Sequence, residues 1–356
     1  MPYAYERQTK SGPGFTQNEV ITALEGFLTY DPSWTVLQNI SLTAGRSDTP
    51  ALTDYSVLQK TNGNSAEDVV IHLWQSNYNE NNFGMNTSTG PVNLTLPWHQ
   101  QPGARVAGST TCYTQTQGCS NDIVDYHFFG YPEYVYVVFK TSADIWRSFA
   151  FGHIEKLSAI TGGGFACCST YLCRNTESDQ AGTDHHHIFF DGVQSTETGR
   201  YRLISQVRVD KQDTTLRYII GGDTNAVGPN GVISNYIGPN DIYSHSGGVY
   251  NGESNTNSRQ FEYDKMRRAP SNFSVTSPLI PIYIYMGRGS DYISLVGRLQ
   301  NVFAMNIRNI SEASEITIQG DQYVVFPYAR KTTSINPGDN KPNSYYHGMA
   351  LLKRLV

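Results

Sequence analysis

The stretch from Tyr134 to Tyr171 decides the fold: it opens with YVYVVFK at 134–140, continues with WRSFAFGHIEKL at 146–157, and passes a glycine triplet into FACCSTY at 165–171. Successive side chains of a strand point to opposite faces of the sheet. In YVYVVFK both faces are apolar or aromatic, with Tyr134, Tyr136 and Val138 on one and Val135, Val137 and Phe139 on the other. A strand covered on both faces usually lies inside its sheet. The pattern therefore predicts a buried central strand.

The glycine triplet Gly162–Gly164 predicts a sharp backbone connection after this region. Glycine tolerates a positive φ and allows a close approach of other groups, which a side chain would prevent. A phosphate-binding loop would need a lysine shortly after its glycines, and none follows here. We therefore expect a structural turn.

The composition favours strands and ordered loops over helices. Of the 356 residues, only 16% are charged, 12% are aromatic and 24 are tyrosines. Tyrosine gives a large contact area at low entropic cost, so such a chain suits extensive protein contacts, with a β-rich soluble enzyme as the alternative. The net charge of −5 provides no broad cationic field for a nucleic-acid backbone, so no nucleic-acid partner is expected.

Hydropathy predicts neither membrane insertion nor secretion. No window approaches the roughly 20 apolar residues that a spanning helix needs. The opening residues, MPYAYERQTKSGPGF, contain no apolar signal-peptide core. We expect the chain to be made and assembled in the cytosol.

One amphipathic helix is predicted near the start of the chain. Thr16 and Glu19 have the spacing of a capping box, which satisfies the first N–H groups of a helix. The residues that follow give the apolar stripe of a helix packed on a sheet: Val20, Ile21, Leu24, Phe27 and Leu28. We expect this helix to end before Asp31 and Pro32.

Most other elements are predicted to be strands. The expected strands are 34–40, 54–58, 69–75, 278–285 and 291–303, with a hairpin over 315–326 that turns at Gly320–Asp321, a second hairpin pairing 201–209 with 216–220, and a helical segment over 154–160. Residues 77–118 are expected to form a long ordered loop region with short strands, and residues 221–259 to form surface loops.

These elements predict a β-dominated α+β fold, with the N-terminal helix packed on a mostly antiparallel sheet that the C-terminal strands complete. Three parts are expected: an N-terminal α+β part over 1–175, a loop-rich β insertion over 176–275, and a C-terminal β part over 276–356 that completes the core.

Five cysteines fall into two clusters, Cys112 with Cys119, and Cys167 and Cys168 with Cys173. In an oxidising setting they are candidates for disulfides, with one thiol left over or paired between chains. Buried free thiols are the alternative. A four-cysteine zinc site is not expected, because no C-x-x-C pair is present.

The run His185–His187 is the most metal-like feature. On a strand His185 and His187 would project to one side, and Asp184 or Asp191 could add a third ligand. An exposed or interface cluster is the alternative, so both histidines are weak metal candidates and no cofactor is predicted.

No catalytic residues are predicted. The sequence lacks G-x-S-x-G and H-E-x-x-H. His153-Ile-Glu155 has the H-x-E spacing of zinc deaminases without the companion P-C-x-x-C. Four carboxylates could in principle pair for glycoside hydrolysis but are expected to be solvated surface groups: Glu67, Asp68, Asp122 and Asp125.

The order of motifs resembles a family of tailed-bacteriophage virion proteins encoded among tail, neck and baseplate genes. The likeness covers roughly 16–170 and 276–350 and rests on these motifs: W-T-V-L, D-V-V-I-H-L-W, Y-V-Y-V-V-F, F-A-F-G-H-I-E-K, G-G-G-F, P-L-I-P-I-Y-I-Y, V-G-R-L-Q-N-V-F-A-M-N, E-I-T-I-Q-G-D-Q-Y-V-V-F-P and Y-Y-H-G-M-A. The resemblance implies architecture and virion membership, and it carries over no catalytic residues.

The expected function is therefore that of a structural, non-enzymatic virion component in the tail, baseplate or neck (collar). Its partners would be other virion proteins and copies of itself. The alternative is a receptor-binding or host-adhesion module that contacts a host surface receptor through the loops of 221–259. A metal-assisted hydrolase that uses His185 and His187 ranks third.

Overall fold

The structure is a computed structural model. It describes residues 4–29, 34–41, 52–60, 68–76, 82–88, 92–96, 114–115, 122–142, 144–159, 163–168, 205–207, 219–220, 227–228, 231–232, 278–288, 292–327 and 347–354.

In chain order, the elements begin with β1 (Ala4–Thr9), α1 (Gln17–Leu28), β2 (Trp34–Ser41), β3 (Leu52–Lys60), β4 (Val69–Ser76), β5 (Asn82–Ser88), β6 (Thr114–Gln115), β7 (Ile123–Gly130), β8 (Tyr134–Thr141), β9 (Trp146–His153) and β10 (Glu155–Lys156). They continue with β11 (Gly164–Cys168), β12 (Ser205–Val207), β13 (Ile219–Ile220), β14 (Val227–Gly228), β15 (Gly231–Val232), β16 (Ile280–Arg288), β17 (Tyr292–Asn306), β18 (Ser314–Ile318), β19 (Asp321–Pro327) and β20 (His347–Arg354).

Three antiparallel sheets carry the described fold. The central sheet has the order β1-β7-β8-β9-β11-β12, and the helix-side sheet has the order β2-β3-β4-β5-β6. The C-terminal sheet has the order β13-β16-β17-β20-β19-β18, with β10 also paired to β17. The predicted β-dominated α+β fold, with a helix on antiparallel sheets, is confirmed. The C-terminal strands do not extend the sheet that carries the helix; they form a sheet of their own that shares a core with it.

The central sheet is covered on both faces, so its strands divide their side chains between two cores. Val135, Val137 and Phe139 of β8 pack in a core with α1 and the helix-side sheet. Tyr134, Tyr136 and Val138 pack in a second core with the C-terminal sheet. The predicted alternation in YVYVVFK is therefore confirmed, and β8 lies inside its sheet between β7 and β9.

Helix α1 follows the sequence prediction closely. The Thr16 side chain accepts from the Glu19 N–H at 3.1 Å, and the Glu19 carboxylate accepts from the Thr16 N–H at 2.7 Å, which completes the capping box. The predicted apolar stripe is buried in full: Val20, Ile21, Leu24, Phe27 and Leu28. This stripe places the helix against the central sheet, where Phe27 meets Phe128 with ring centroids 5.5 Å apart.

A bulge in β17 of the C-terminal sheet keeps apolar side chains on both sides of it pointing into the same core. Asn301 has φ 58° within β17, and Leu299 before it and Val302 after it both face the core shared with the central sheet. At this point β17 carries three extra residues, since Pro281 of β16 pairs with Phe303 and Ile282 pairs with Leu299. An odd number of inserted residues shifts the alternation of side chains by one. The predicted alternation in β19 is also confirmed, since Val324 and Phe326 face that core while Tyr323 and Val325 belong to a cluster on the other face.

The turn between β18 and β19 lies one residue earlier than predicted. Ile318 pairs with Asp321, so Gln319 and Gly320 are the central residues, with φ of 55° and 99°. Positive φ at both positions is the type I′ geometry, whose twist matches that of the flanking strands. The glycine therefore occupies the second central position, and Asp321 already belongs to β19.

Two secondary-structure predictions were wrong. The helix predicted over 154–160 does not form in the described residues 154–159: Glu155 and Lys156 form β10, which pairs with Arg298 and Gly297 of β17. This pairing satisfies backbone groups that a single helical turn would leave open. The hairpin of 201–209 with 216–220 is also wrong, because β12 pairs with β11 in the central sheet and β13 pairs with β16 in the C-terminal sheet.

The glycine triplet serves close packing, as expected. Gly163 has φ +103°, and a Cβ on Gly164 would lie 2.6 Å from Cγ2 of Val69 in the helix-side sheet. Gly162 lies outside the described residues. Within the described part of the chain, no helix is long and apolar enough to cross a membrane.

Strands β1, β7, β9 and β11 were not predicted, and they are four of the six strands of the central sheet. Strand β20 of the C-terminal sheet was not predicted either. The predicted loop region 77–118 contains β5 and β6, and the predicted surface loops 221–259 contain the small pair β14 and β15. The other residues of these two regions lie largely outside the described ranges. The predicted boundaries at 175 and 275 stay predictions.

Candidate functional site

A cluster of polar side chains joins β1 to β7 at one edge of the central sheet. In the ladder Tyr5 pairs with Phe129, Arg7 with His127 and Thr9 with Asp125. Residues two apart on a strand share a face, and directly opposed residues share it too. The chain therefore places Tyr5, Arg7, Asp125 and His127 on one face of this edge. We call these four residues the β1 clasp.

Direct contacts link the β1 clasp in a row. The Arg7 guanidinium donates to Asp125 twice, from Nε to Oδ1 at 3.2 Å and from Nη2 to Oδ2 at 2.8 Å. His127 Nε2 lies 3.4 Å from Asp125 Oδ1, and His127 Nδ1 lies 2.9 Å from the Tyr5 hydroxyl. Such a forked pair fixes direction as well as position. The row runs from the solvent side at Arg7 to the core at His127.

His127 is enclosed by aromatic rings. Its side chain has no exposed surface. The ring centroids of Phe326, Trp146 and Tyr5 lie 4.7, 5.9 and 6.1 Å away. Because an ionised Asp125 only accepts hydrogen bonds, the proton of the neutral imidazole belongs on Nε2, which leaves Nδ1 to accept from the Tyr5 hydroxyl.

The pKa values follow from this enclosure. Burial lowers the pKa of His127 more than neighbouring Asp125 raises it, so the ring is neutral at pH 7. Burial raises the pKa of Asp125, but hydrogen bonds from His127 and Arg7 outweigh burial and hold it below its ordinary value. Burial raises the pKa of Tyr5 to about 12, so its hydroxyl stays protonated as a donor.

The C-terminal sheet closes the clasp from its other side. Lys353 Nζ lies 4.8 Å from the centroid of the Tyr5 ring and 2.6 Å from Oε1 of Glu315. The Tyr5 ring also lies 5.0 Å from that of Phe129. Tyr5 is thus held by both sheets at once, which makes β1 the link between their neighbouring edges.

Other polar pairs tie the central region to the C-terminal sheet. Strand β10 directly follows β9 of the central sheet, and within the C-terminal sheet its Glu155 accepts two hydrogen bonds from Arg298 of β17, at 2.5 and 2.9 Å. Trp146 Nε1 donates to Glu312 at 2.9 Å, and the Tyr136 hydroxyl donates to the Gln300 carbonyl at 2.8 Å. The Tyr131 hydroxyl donates to the Leu352 carbonyl. These contacts join residues more than 140 positions apart.

This arrangement is suited to holding a strand in place. A nucleophile is activated by a lowered pKa or by an effective adjacent base. Here burial raises the pKa of the Tyr5 hydroxyl and lowers the pKa of His127, so proton transfer from Tyr5 to His127 is unfavourable. The Arg7 guanidinium and the Asp125 carboxylate are held by each other through two hydrogen bonds. Within the β1 clasp, Asp125 and His127 of β7 therefore recognise an arginine and a tyrosine spaced two apart on an extended strand.

Most of the predicted site residues lie outside the described residues: His185, His187, Cys112, Cys119 and Cys173. Cys167 and Cys168 lie in β11, where their backbones pair with Ala150 and Phe149 of β9. Within the described part of the chain, no group of three or more potential metal ligands is brought together. The metal and disulfide proposals stay predictions.

The prediction of a solvated surface group was wrong for Asp125, which is buried and paired with Arg7. Asp122 is half-buried and accepts from the Ser142 hydroxyl, and Asp68 is also half-buried; Glu67 lies outside the described residues. His153 and Glu155 do not form a zinc motif, because His153 lies 3.6 Å from Glu133 while Glu155 pairs with Arg298.

Sequence reasoning missed Tyr5, Arg7 and His127. The signal that could have found them is the alternation Y-x-R in residues 5–7 and D-x-H in 125–127, each of which places two polar side chains on one face of a strand. The chain matches no protein-family model, and a search of curated proteins finds no match either.

Proposed function

We propose that this chain is a non-enzymatic structural component of a tailed-bacteriophage virion, in the tail, baseplate or neck, and that it acts through contacts with other virion proteins and copies of itself. The resemblance of the motif order to this family supports the assignment to a virion. The three-layer build gives the physical support, since the described side chains link the layers to one another.

The observation that carries the proposal is the cross-linking of the C-terminal sheet to the central region. The Trp146 indole donates to Glu312, and the Tyr136 hydroxyl donates to the Gln300 carbonyl. The Tyr131 hydroxyl, from the turn between β7 and β8, donates to the Leu352 carbonyl of β20. Between them lies an apolar core of fully buried side chains. Such close-packed layers deform little under load, which is what an assembly part needs.

The sheet edges support contacts between subunits. In the described part of the chain, β1 and β18 stand at the ends of their sheets, paired to β7 and β19 on one side only. The outer edge of an end strand carries backbone N–H and C=O groups that can pair with another chain. Glu315 and Thr317, which share one face of β18, are exposed, so that face of the end strand is open to solvent.

The proposal is tested by quantitative mass spectrometry of gradient-purified particles from the phage that encodes the chain. The chain is expected to remain at a constant ratio to the most abundant structural protein through successive purification steps, at several copies per particle. A phage-encoded replication enzyme serves as the carry-over control.

A ratio that falls in step with the carry-over control would overturn the proposal, as would detection in infected-cell lysate alone. Disassembly of the particles into sub-complexes then assigns the chain to tail, baseplate or neck, because it should co-fractionate with one of them.

A further inference from the structure

Strand β1 is attached to the fold by few apolar contacts. In the described part of the chain it pairs only with β7, through residues 4–9. Four of its six residues are exposed: Ala4, Arg7, Gln8 and Thr9. Tyr5 is the β1 side chain that packs against the apolar core. Apart from backbone pairing, β1 is therefore held mainly by the polar β1 clasp.

The slot that receives β1 has a specific chemistry. Asp125 accepts a hydrogen bond from the guanidinium of Arg7, and His127 accepts one from the hydroxyl of Tyr5. Lys353 lies against the face of the Tyr5 ring. Asp125 and His127 are themselves buried, so removal of the strand would uncover a charged carboxylate and a polar ring. The slot thus requires an extended strand with tyrosine and arginine spaced two apart.

The chain is built to bend just after β1. Gly12 has φ +94° with open space around it, and Pro13 follows. Phe15 then anchors the chain by two backbone hydrogen bonds to Ile123, at 2.7 and 3.2 Å. A change of direction at Gly12 would release β1 while Phe15 and α1 stayed in place. Short hinges of this kind allow identical elements to exchange between protomers.

We propose that β1 is an exchangeable strand, and that its slot on β7 binds β1 of a second copy of this chain, with the incoming tyrosine and arginine recognised by His127 and Asp125. The exchanged contacts are the same as those within one chain, so exchange costs mainly the association entropy. In an assembly, neighbouring copies supply a high local concentration.

Strand exchange rests on the proposed function only for its biological role, because exchanged strands would link neighbouring copies of this chain in a virion. The two can fail independently: absence of the chain from particles leaves strand exchange intact, and absence of exchange leaves virion membership intact.

Photo-crosslinking between two co-expressed full-length chains tests the proposal. The first chain carries photoreactive benzoylphenylalanine at the exposed position Gln8, which pairs with Tyr126 of β7. The second carries Val124→Ile, which changes the mass of its β7 peptide. After purification and irradiation, mass spectrometry identifies which β7 peptide is linked to β1.

Exchange predicts crosslinks to the mass-marked β7 peptide of the second chain, in dimers or larger species. Crosslinks to the unmarked peptide alone, at every protein concentration, would overturn the proposal. Asp125→Asn in the second chain is expected to lower the marked-to-unmarked ratio several-fold, since it weakens recognition of Arg7. The matched change Asp144→Asn, at an exposed site, is expected to leave the ratio unchanged, and an equal effect of both substitutions would count against recognition by the clasp.

Discussion

Replacement of Phe326 by alanine tests how the C-terminal sheet is joined to the central sheet. Phe326 is fully buried on β19. Its ring lies 4.7 Å from His127, 5.1 Å from Trp146 and 6.1 Å from Phe129 between centroids. Loss of a buried phenylalanine usually costs about 3–5 kcal/mol. Since each aromatic pair adds about 0.5–1.5 kcal/mol, we expect a loss near the upper end of that range.

Phe303→Ala is the matched control, because Phe303 is only partly buried on the other face of the same sheet. Its one described ring neighbour is Tyr323, at 5.9 Å. Burial of part of such a side chain contributes about 1–2 kcal/mol, so this variant should lose much less stability than Phe326→Ala.

The assay is guanidinium unfolding of both variants and the wild type, followed by circular dichroism and by tryptophan fluorescence. Trp146 reports on the same core as Phe326, so both probes should give one transition if the layers unfold together. A loss for Phe326→Ala no greater than that for Phe303→Ala would refute the packing of the two sheets described above.

Four other single substitutions, at three positions, test a glycine contact, a turn and a buried histidine. Gly164→Ala places a methyl group 2.6 Å from Cγ2 of Val69 and should lower the unfolding free energy by about 1–3 kcal/mol, with partial recovery on adding Val69→Ala; an unchanged denaturation midpoint would contradict this contact. Gln319→Asn should raise the unfolding free energy by about 0.5–1 kcal/mol and Gln319→Val should lower it, because φ is 55° here; equal midpoints would argue against the turn. Burial lowers the pKa of His127, so below about pH 6.5 the unfolded state binds a proton that the folded state does not, and stability falls by up to about 1.4 kcal/mol per pH unit until the folded-state pKa is reached. In His127→Gln this fall should be shallower in denaturation series from pH 7 to pH 5, and an identical slope would exclude a contribution from His127.

The parts of the fold that the sequence predicts are those with a local signal. The capping box at Thr16 predicts where α1 begins, and the apolar residues at helical spacing that follow it predict which face is buried. The alternation in YVYVVFK identifies a strand covered on both faces, and the alternation in β19 identifies another. In each case the pattern spans fewer than about 15 residues, which is the range over which hydrophobic periodicity is informative.

The parts that the sequence does not predict depend on distant contacts. Strand β1 is polar because it lies at a sheet edge, so it has no apolar alternation. Its clasp joins Arg7 to Asp125 and Tyr5 to His127, across 118 and 122 positions. Glu155 likewise owes its strand conformation to Arg298, 143 positions away. No local pattern records such partners, so tertiary pairing decides these elements.

A cryo-EM reconstruction of the intact particle tests the central claim most directly. We predict a repeated subunit in the tail, baseplate or neck whose density contains three stacked antiparallel sheets, with helix α1 packed on the face of the central sheet that also meets the helix-side sheet. A complete reconstruction of these regions, in which every repeated subunit is assigned to another protein, would contradict the proposed role.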